Sequence, residues 1–474
     1  MSTQNRREFL TSVALGSGVA STLPSLQANT EPVKKKRPNI LLFFPDQHRY
    51  DWLGTTPGLP VRTPNLDQLG KKGVRFSHAF SPSPLCAPAR ACIASGKRYA
   101  RCGVPSNHAN YPLTQTTFYS LLRESGYWVT TCGKLDLAKE EHNAGVDGQR
   151  HLKAWGFSAG INNLGKHDCV KTGAITPKDP YMAYLHKRGL AAQWVAYMHT
   201  LGHAHHTGSS PSPLPEDAYA DNWIAQNGLN LMKRFPKEKP WFLIVNFNGP
   251  HAPWNVTKRM WERWRGVNFP SPNGSDGFSH SVNNNIRRNY SAMIENIDRW
   301  MGIYLREIAK RGELDNTLVL YSSDHGEMLG DHGRWGKDVP YQPSVGVPLI
   351  VAGPGVQQNV VSHAQLTTMD LAATFLDFGG VERPADMDSS SLRPLLEGKT
   401  SHHRDWAQSG LGAWRLSYNG RYKFIDGFGS NKTHHHKMPY DPAADDLPPL
   451  LFDLQEDPGE NHPLVGQPPP LKKR

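Results

Sequence analysis

The stretch Pro38-Asn39-Ile40-Leu41-Leu42-Phe43-Phe44-Pro45-Asp46-Gln47-His48 decides the fold. A strand with one wet face alternates apolar and polar side chains. Asn39 to Phe44 does not alternate, which is the pattern of a strand buried on both faces of a parallel sheet. Prolines bound the run, and the polar cluster Asp46-Gln47-His48 follows it. Three further segments repeat the plan: Tyr127 to Cys132 stops at Gly133-Lys134-Leu135-Asp136, Trp241 to Phe247 leads to His251, and Thr317 to Ser322 stops at Asp324-His325. In doubly wound α/β folds, sites form beyond the carboxyl ends of the strands, so the four polar clusters are expected to converge on one pocket.

Helical patterns lie between these strands. The clearest runs from Ile286 to Arg311, where Tyr290, Ile294, Ile297, Met301, Leu305 and Ile308 recur at helical spacing before Gly312. Residues 140–215, rich in Gly, His and Pro, have no clear period and read as a substrate-facing insertion. Beyond residue 381 the character changes: Trp414–Tyr418, Tyr422–Ile425 and Leu450–Asp453 read as short antiparallel strands, and the Pro-rich tail after Asp457 as irregular chain. The predicted architecture is therefore α/β, with a large, mostly parallel sheet flanked by helices over 37–380 and a smaller antiparallel sheet within 381–474. A hydrophobic content of 38% over 474 residues supports a large core, and 43 Gly with 38 Pro favour long connections over a helical bundle.

At the N-terminus, Asn5-Arg6-Arg7-Glu8-Phe9-Leu10 precedes a modestly apolar stretch, with small residues around Ala20 and Ala28. Residues 1–30 resemble a twin-arginine export signal, which implies a partner export machinery and delivery of the folded protein to the periplasm or beyond. A Sec signal or a plain amphipathic N-terminus is the alternative. Past residue 30 no apolar run is long enough to span a bilayer, so stable membrane insertion of the mature chain is not expected. The formal charge of +11 suits polyanions, but the basic residues are dispersed and no zinc-finger or RNP-type motif occurs. Nucleic acid is therefore not an expected partner. The cysteines, Cys86, Cys92, Cys102, Cys132 and Cys169, are odd in number for an exported chain, and modification of Cys86 would leave an even set. Two disulfides or free core thiols are open for the rest, with free thiols favoured because Cys92, Cys102 and Cys132 fall in apolar segments.

Cys86-Ala87-Pro88-Ala89-Arg90 follows a Ser/Pro turn and opens an alanine-rich stretch ending at Ser95-Gly96, which places Cys86 at a helix start where the backbone favours anions. This Cys-x-Pro-x-Arg pattern resembles the signature of formylglycine-dependent sulfatases in the alkaline phosphatase superfamily, and the likeness extends from Pro38-Asn39 to Leu451-Phe452-Asp453-Leu454. It implies an alkaline-phosphatase-like sandwich and hydrolysis of sulfate esters, with sulfated carbohydrate fragments favoured as substrates. It also implies a maturation enzyme that oxidises Cys86 to formylglycine, whose hydrate offers two hydroxyls on one carbon. By the same resemblance, Asp46, Gln47, Asp324 and His325 hold one divalent metal together with the modified Cys86. Arg90 stabilises the nucleophile, Lys134 and Lys337 grip the sulfate, and His251, with Lys337, protonates the leaving alcohol.

Departures from the usual family pattern are informative. Asp-Gln and Asp-His replace the more oxygen-rich Asp-Asp and Asp-Asn, so calcium is expected first, with manganese or zinc open. A histidine is usual two residues after the first lysine, but here Asp136 stands there. Its carboxylate would repel sulfate unless paired, and base, substrate recognition or helix capping are its possible roles. His203-Ala204-His205-His206 and His434-His435-His436 read as solvated loops, since neither has a carboxylate or cysteine at ligand spacing. Arg101, Asn107 and His108 follow the signature but are not oriented by sequence alone. Two rival functions stand beside a sulfatase: a phosphonate monoester or phosphodiester hydrolase of the same superfamily, against which Lys134 argues, and an inactive glycan-binding homologue, against which the intact motifs argue.

Overall fold

The structure is a computed structural model describing residues 36–203, 208–274, 277–428 and 448–466, with the side chains of 202 and 203 excepted. The export-signal segment, His205-His206 and His434-His435-His436 lie outside these residues. The described residues from Arg37 onward form one compact unit.

Its core is a nine-stranded sheet. In chain order the strands are β1 (Asn39–Asp46), β2 (Gly73–Phe80), β3 (Trp128–Gly133), β4 (Ala159–Asn162), β5 (Trp241–Pro250), β6 (Thr317–Ser322), β7 (Gly346–Ala352), β8 (Val360–Ser362) and β9 (Leu366–Thr367). Their order is β4-β3-β5-β1-β6-β7-β2-β8, with β9 beside β2. Only β7 runs against the rest, so the sheet is mostly parallel, as expected. Alternate residues of β1 enter opposite layers. Ile40, Leu42 and Phe44 pack with Phe118, Leu122 and Phe375, while Leu41 and Phe43 pack with Ile224, Ile297 and Tyr304. That two-sided burial is the physical origin of the unbroken apolar run.

The long helix spans His280–Lys310 and starts earlier than the apolar period suggests. Its first turns, His-Ser-Val-Asn-Asn-Asn, carry little hydrophobic signal, and the Ser279 side chain caps them by accepting from Val282 N. Residues 140–215 are not one irregular insertion. They contribute edge strand β4 and the helices Lys166–Gly173, Pro180–Lys187 and Ala191–His203, which are short or weakly periodic and so hard to read.

Four antiparallel strands, β10 (Ala407–Leu411), β11 (Trp414–Tyr418), β12 (Tyr422–Asp426) and β13 (Leu450–Asp453), form the second sheet in sequential order. Its inner face, including Trp414, Leu416, Ile425 and Phe452, packs on Leu85, Met328 and Val339. Those three residues sit in the loops next to Cys86, His325 and Lys337. No helix among the described residues is long and apolar enough to cross a membrane. All five cysteines are buried and free, which matches the free-thiol reading.

Candidate active site

Strands β3, β5, β1 and β6 are neighbours and parallel, so their carboxyl ends share one edge of the sheet. There Asp46, Cys86, Asp324 and His325, all buried, bring one ligand atom each within 4.8 Å of one another. His325 Nδ1–H donates to the Gly326 carbonyl at 3.1 Å, so Nε2 faces the cluster. Burial lowers the imidazole, but Asp324 and Cys86 outweigh it and raise it above its ordinary value, so Nε2 must give up a proton before it can hold a cation. Nε2 lies 3.6 Å from Asp324 Oδ2 and 3.7 Å from Asp46 Oδ1. Gln47 is in the left-handed region at φ 73°, and its Oε1 accepts from Lys337 Nζ at 2.9 Å. Two carboxylates, a carboxamide oxygen and an imidazole form a donor set that fits one divalent cation, with oxygen favouring calcium and the imidazole admitting manganese or zinc.

Cys86 is the first residue of the helix Cys86–Ser95. Its Sγ lies 3.1 Å from Lys337 Nζ, 3.3 Å from His325 Nε2 and 3.6 Å from Lys134 Nζ. Burial and Asp46 push the thiol up, but Lys134, Lys337 and His325 outweigh them and bring it down to about 5. The pocket is thus arranged to hold negative charge at position 86. Asn107, unoriented in the sequence, accepts from Ala87 N at 3.1 Å and satisfies a free donor of the helix start.

Arg90 joins the strand ends. Its Nε donates to Asp324 Oδ2 at 3.0 Å, and its Nη1 to the Lys134 carbonyl at 2.5 Å and Asn246 Oδ1 at 3.1 Å. Asp46 is 3.8 Å from Nη2. Lys134 Nζ pairs with Asp46 and lies 3.1 Å from Asp136 Oδ2. Burial disfavours charge on Asp46, yet Lys134, His251, Lys337 and Arg90 hold its carboxyl well below the usual range. For Lys134, burial is likewise overcome, and Asp136 and Asp46 hold the ammonium well above its ordinary value.

The Asp136 carboxylate also meets Lys139 Nζ at 2.8 Å, and Lys139 continues to Asp168 at 3.0 Å. Burial is outweighed by the two lysines, so Asp136 stays ionised below the usual carboxylate range. It does not cap the following short helix, whose N-cap is Ala138. Sequence reasoning missed Lys139, although its spacing of three from Asp136 was a usable signal.

His251 follows β5. Its Nδ1–H donates to the Ala252 carbonyl at 2.5 Å, and burial together with Lys337 keeps the imidazole well below its ordinary value. Lys337 instead stays above its ordinary value, since Cys86 and Asp46 overcome burial. At rest the proton therefore sits on Lys337, while neutral His251 offers Nε2 as an acceptor. Buried Lys166, also missed, donates to the Pro253 carbonyl at 3.1 Å and Asn255 Oδ1 at 3.0 Å, tethering the loop behind His251. Burial lowers it to about 8.

Comparison with known proteins agrees with this arrangement. A family model described as Sulfatase matches residues 38–381, and one described as N-sulphoglucosamine sulphohydrolase, C-terminal, matches residues 330–472. The chain is 26% identical to an N-acetylglucosamine-6-O-sulfatase of Bacteroides thetaiotaomicron, over 94% of this chain and 86% of that protein. Its fold is similar to that of a protein solved in complex with its substrate D-glucosamine-2-N,6-O-disulfate, with a TM-score of 0.68 and 22% identity over 90% of this chain and 92% of the other. A phosphonate monoester hydrolase from Silicibacter pomeroyi shares the fold at a TM-score of 0.73, with 22% identity over 91% of this chain and 92% of that one. With one family model spanning most of its length and a metal-capable acidic cluster around Cys86, the chain belongs to the sulfatase family of sulfuric ester hydrolases.

Proposed function

We propose that the enzyme removes sulfate from sulfated carbohydrate fragments, using a formylglycine made from Cys86 and one divalent cation held by Asp46, Gln47, Asp324, His325 and the modified residue. The observation that carries this reading is the position of Cys86 Sγ, at a helix start and within 3.6 Å of Lys134, Lys337 and His325. Sulfated glucosamine in a complex of similar fold, and the N-acetylglucosamine-6-O-sulfatase relative, support the carbohydrate class. The net charge of +11 suits an anionic substrate. The twin-arginine-like segment supports export in folded form, after a maturation enzyme has acted on Cys86.

When bound, the cation neutralises the carboxylates and makes one hydroxyl of the formylglycine hydrate acidic. Lys134 and Lys337, both charged, grip the sulfate oxygens. Lys337 delivers its proton to the departing alcohol oxygen, and the alcohol hydroxyl so formed donates to the acceptor Nε2 of neutral His251 as it leaves. Arg90 fixes Asp324 and the Lys134 backbone relative to one another. The first hydroxyl of the hydrate forms the new bond to sulfur as the bond to the alcohol oxygen breaks. The second hydroxyl then gives its proton to Lys337, left neutral by the first step and 3.1 Å from Sγ at position 86, as the bond to sulfate breaks and the aldehyde is restored.

The decisive assay compares substrates on matured enzyme. Turnover of a 6-O-sulfated N-acetylglucosamine at least about 100-fold above that of an aryl phosphonate monoester is expected, a difference of about 2.7 kcal/mol in transition-state stabilisation. The opposite ranking would transfer the assignment to phosphonate hydrolysis, which the Asp-Gln and Asp-His ligand pairs also permit.

Asp136, clamped by Lys134 and Lys139, serves in this reading to hold the Lys134 ammonium on the sulfate, not as the base. Asp136→Asn is expected to lower kcat/KM about 10-fold for a sugar sulfate and an aryl sulfate alike, on the order of 1.4 kcal/mol, without accumulation of sulfated enzyme. Its carboxyl is depressed in the fold, so its stabilisation is present above the ordinary carboxylate pKa of about 4 and is lost as pH falls below it. The acid limb of thermal stability should accordingly flatten in Asp136→Asn. Trapped sulfated enzyme by mass spectrometry would restore the base role, and a defect confined to the sugar substrate would restore recognition.

A further inference from the structure

Glu327 lies two residues beyond His325 and is 0% exposed. One carboxylate oxygen accepts from the Gln47 side-chain amide. The other accepts from Leu329 N at 3.1 Å and Gly336 N at 2.6 Å. Glu327 thus binds the end of β1 to the loop that presents Lys337.

The chemistry of this arrangement is directional. A carboxamide is nearly symmetric in shape but not in polarity, and only its oxygen can serve a cation. Gln47 sits between an acceptor-only group, the Glu327 carboxylate, and a donor-only group, the Lys337 ammonium, whose Nζ donates to Gln47 Oε1 at 2.9 Å. Both neighbours demand the same orientation, with nitrogen toward Glu327 and oxygen toward Lys337 Nζ, which itself lies 3.1 Å from Cys86 Sγ in the cluster. The backbone of Gln47 is pinned separately, since its N–H donates to Asp324 Oδ1 at 3.0 Å and its carbonyl accepts from the Tyr290 hydroxyl at 2.6 Å. The side chain's remaining freedom is the amide flip, and Glu327 opposes it.

We propose that Glu327 is a positioning residue that holds the Gln47 carboxamide with its oxygen toward the cation cluster while fixing the Gly336-Lys337 segment beside it. This role rests on the cation reading given above. It also explains how glutamine serves at a position where a carboxylate would need no such control, because a carboxylate presents oxygen whichever way it turns.

The test is an equilibrium titration of metal-stripped protein with calcium and, separately, manganese, read by competition with a fluorescent chelator, together with thermal unfolding of the metal-free protein. In Glu327→Gln the new carboxamide oxygen is claimed by the two backbone N–H groups, so its NH2 faces the Gln47 NH2. Gln47 must then turn its nitrogen to the cation. Affinity is expected to fall about 10- to 100-fold, the usual effect of losing a partner behind a ligand. The double variant Gln47→Glu/Glu327→Gln reverses the polarity of the bond and should return affinity to within about 3-fold of wild type. Thermal unfolding separates positioning from a merely structural role: a loss of affinity at an unchanged metal-free melting midpoint is positioning, and a loss that only tracks a lowered midpoint would overturn the inference. Wild-type affinity in Glu327→Gln, or a folded double variant that remains weak, would overturn the inference. Should Glu327→Gln not fold, the double variant carries the test by the same criterion. If wild-type protein binds neither cation, the cation reading itself fails, a result distinct from either variant outcome.

Discussion

Cys86→Ala protein is expected to fold with a near-wild-type melting midpoint and to hydrolyse every sulfate ester at least about 10⁴-fold more slowly than matured enzyme. The side chains around the Cys86 sulfur, Lys134, Lys337 and His325, act on it as electrostatic partners, and alanine leaves them no nucleophile to stabilise. The fold should tolerate the change because the helix Cys86–Ser95 is held by its buried alanines, by Arg90 and by Asn107, not by the sulfur. Steady-state kinetics on a sugar sulfate and an aryl sulfate, with thermal unfolding alongside, measure both halves. Peptide mass analysis of wild-type protein from its native host should show an aldehyde at position 86, and an unmodified thiol in active enzyme would sink the mechanism.

Asp324→Ala is expected to weaken divalent-cation binding at least about 100-fold and to reduce turnover by about 10³-fold or more at fixed cation concentration. It removes one of two carboxylates from the cluster. It also strips acceptors from Arg90 Nε, from Gln47 N at 3.0 Å and from His325 N at 3.0 Å. Arg90 is buried, and leaving it without this partner should cost about 3–5 kcal/mol, so stability falls even without metal. Asp324→Asn separates the effects, because the amide can keep part of the acceptor set while losing the charge. A chelator should silence wild-type enzyme, and readdition of calcium, manganese and zinc in turn ranks the candidates. Full turnover in stripped wild-type protein would remove the cation from the mechanism.

The residues of the candidate site were legible for two reasons. Asp46, Lys134, His251, Asp324 and His325 stand at or just after the ends of largely apolar strand segments, whereas Cys86, Arg90 and Lys337 were assigned through the resemblance carried by Cys86-Ala87-Pro88-Ala89-Arg90. The strands that escaped reading carry weaker patterns: β2 holds Arg75, Ser77 and His78, and β7 contains Pro348. Among supporting groups, Glu327, Asn107 and Lys166 act on partners far away in the chain, at Gln47, Ala87 and Pro253. No spacing rule reaches such pairs, since they exist only once the sheet has brought the loops together. Asp136 illustrates both cases. Its need for a cation was foreseeable from Lys134, but the second cation, Lys139, and its own left-handed backbone at φ 54° emerge from the folded loop.

The inner face of the small sheet rests on Leu85, Met328 and Val339, and its last strand ends at Asp453. During synthesis from the N-terminus, every residue of the catalytic cluster therefore leaves the ribosome before the strand that backs its loops. A chain halted ahead of β13 holds every residue of the cluster in its sequence yet lacks Leu450 and Phe452, the last part of the apolar face that packs with those loops. Cys86 is only 1% exposed in the finished fold, so on the formylglycine reading proposed above its modification would have to precede the closing of these loops.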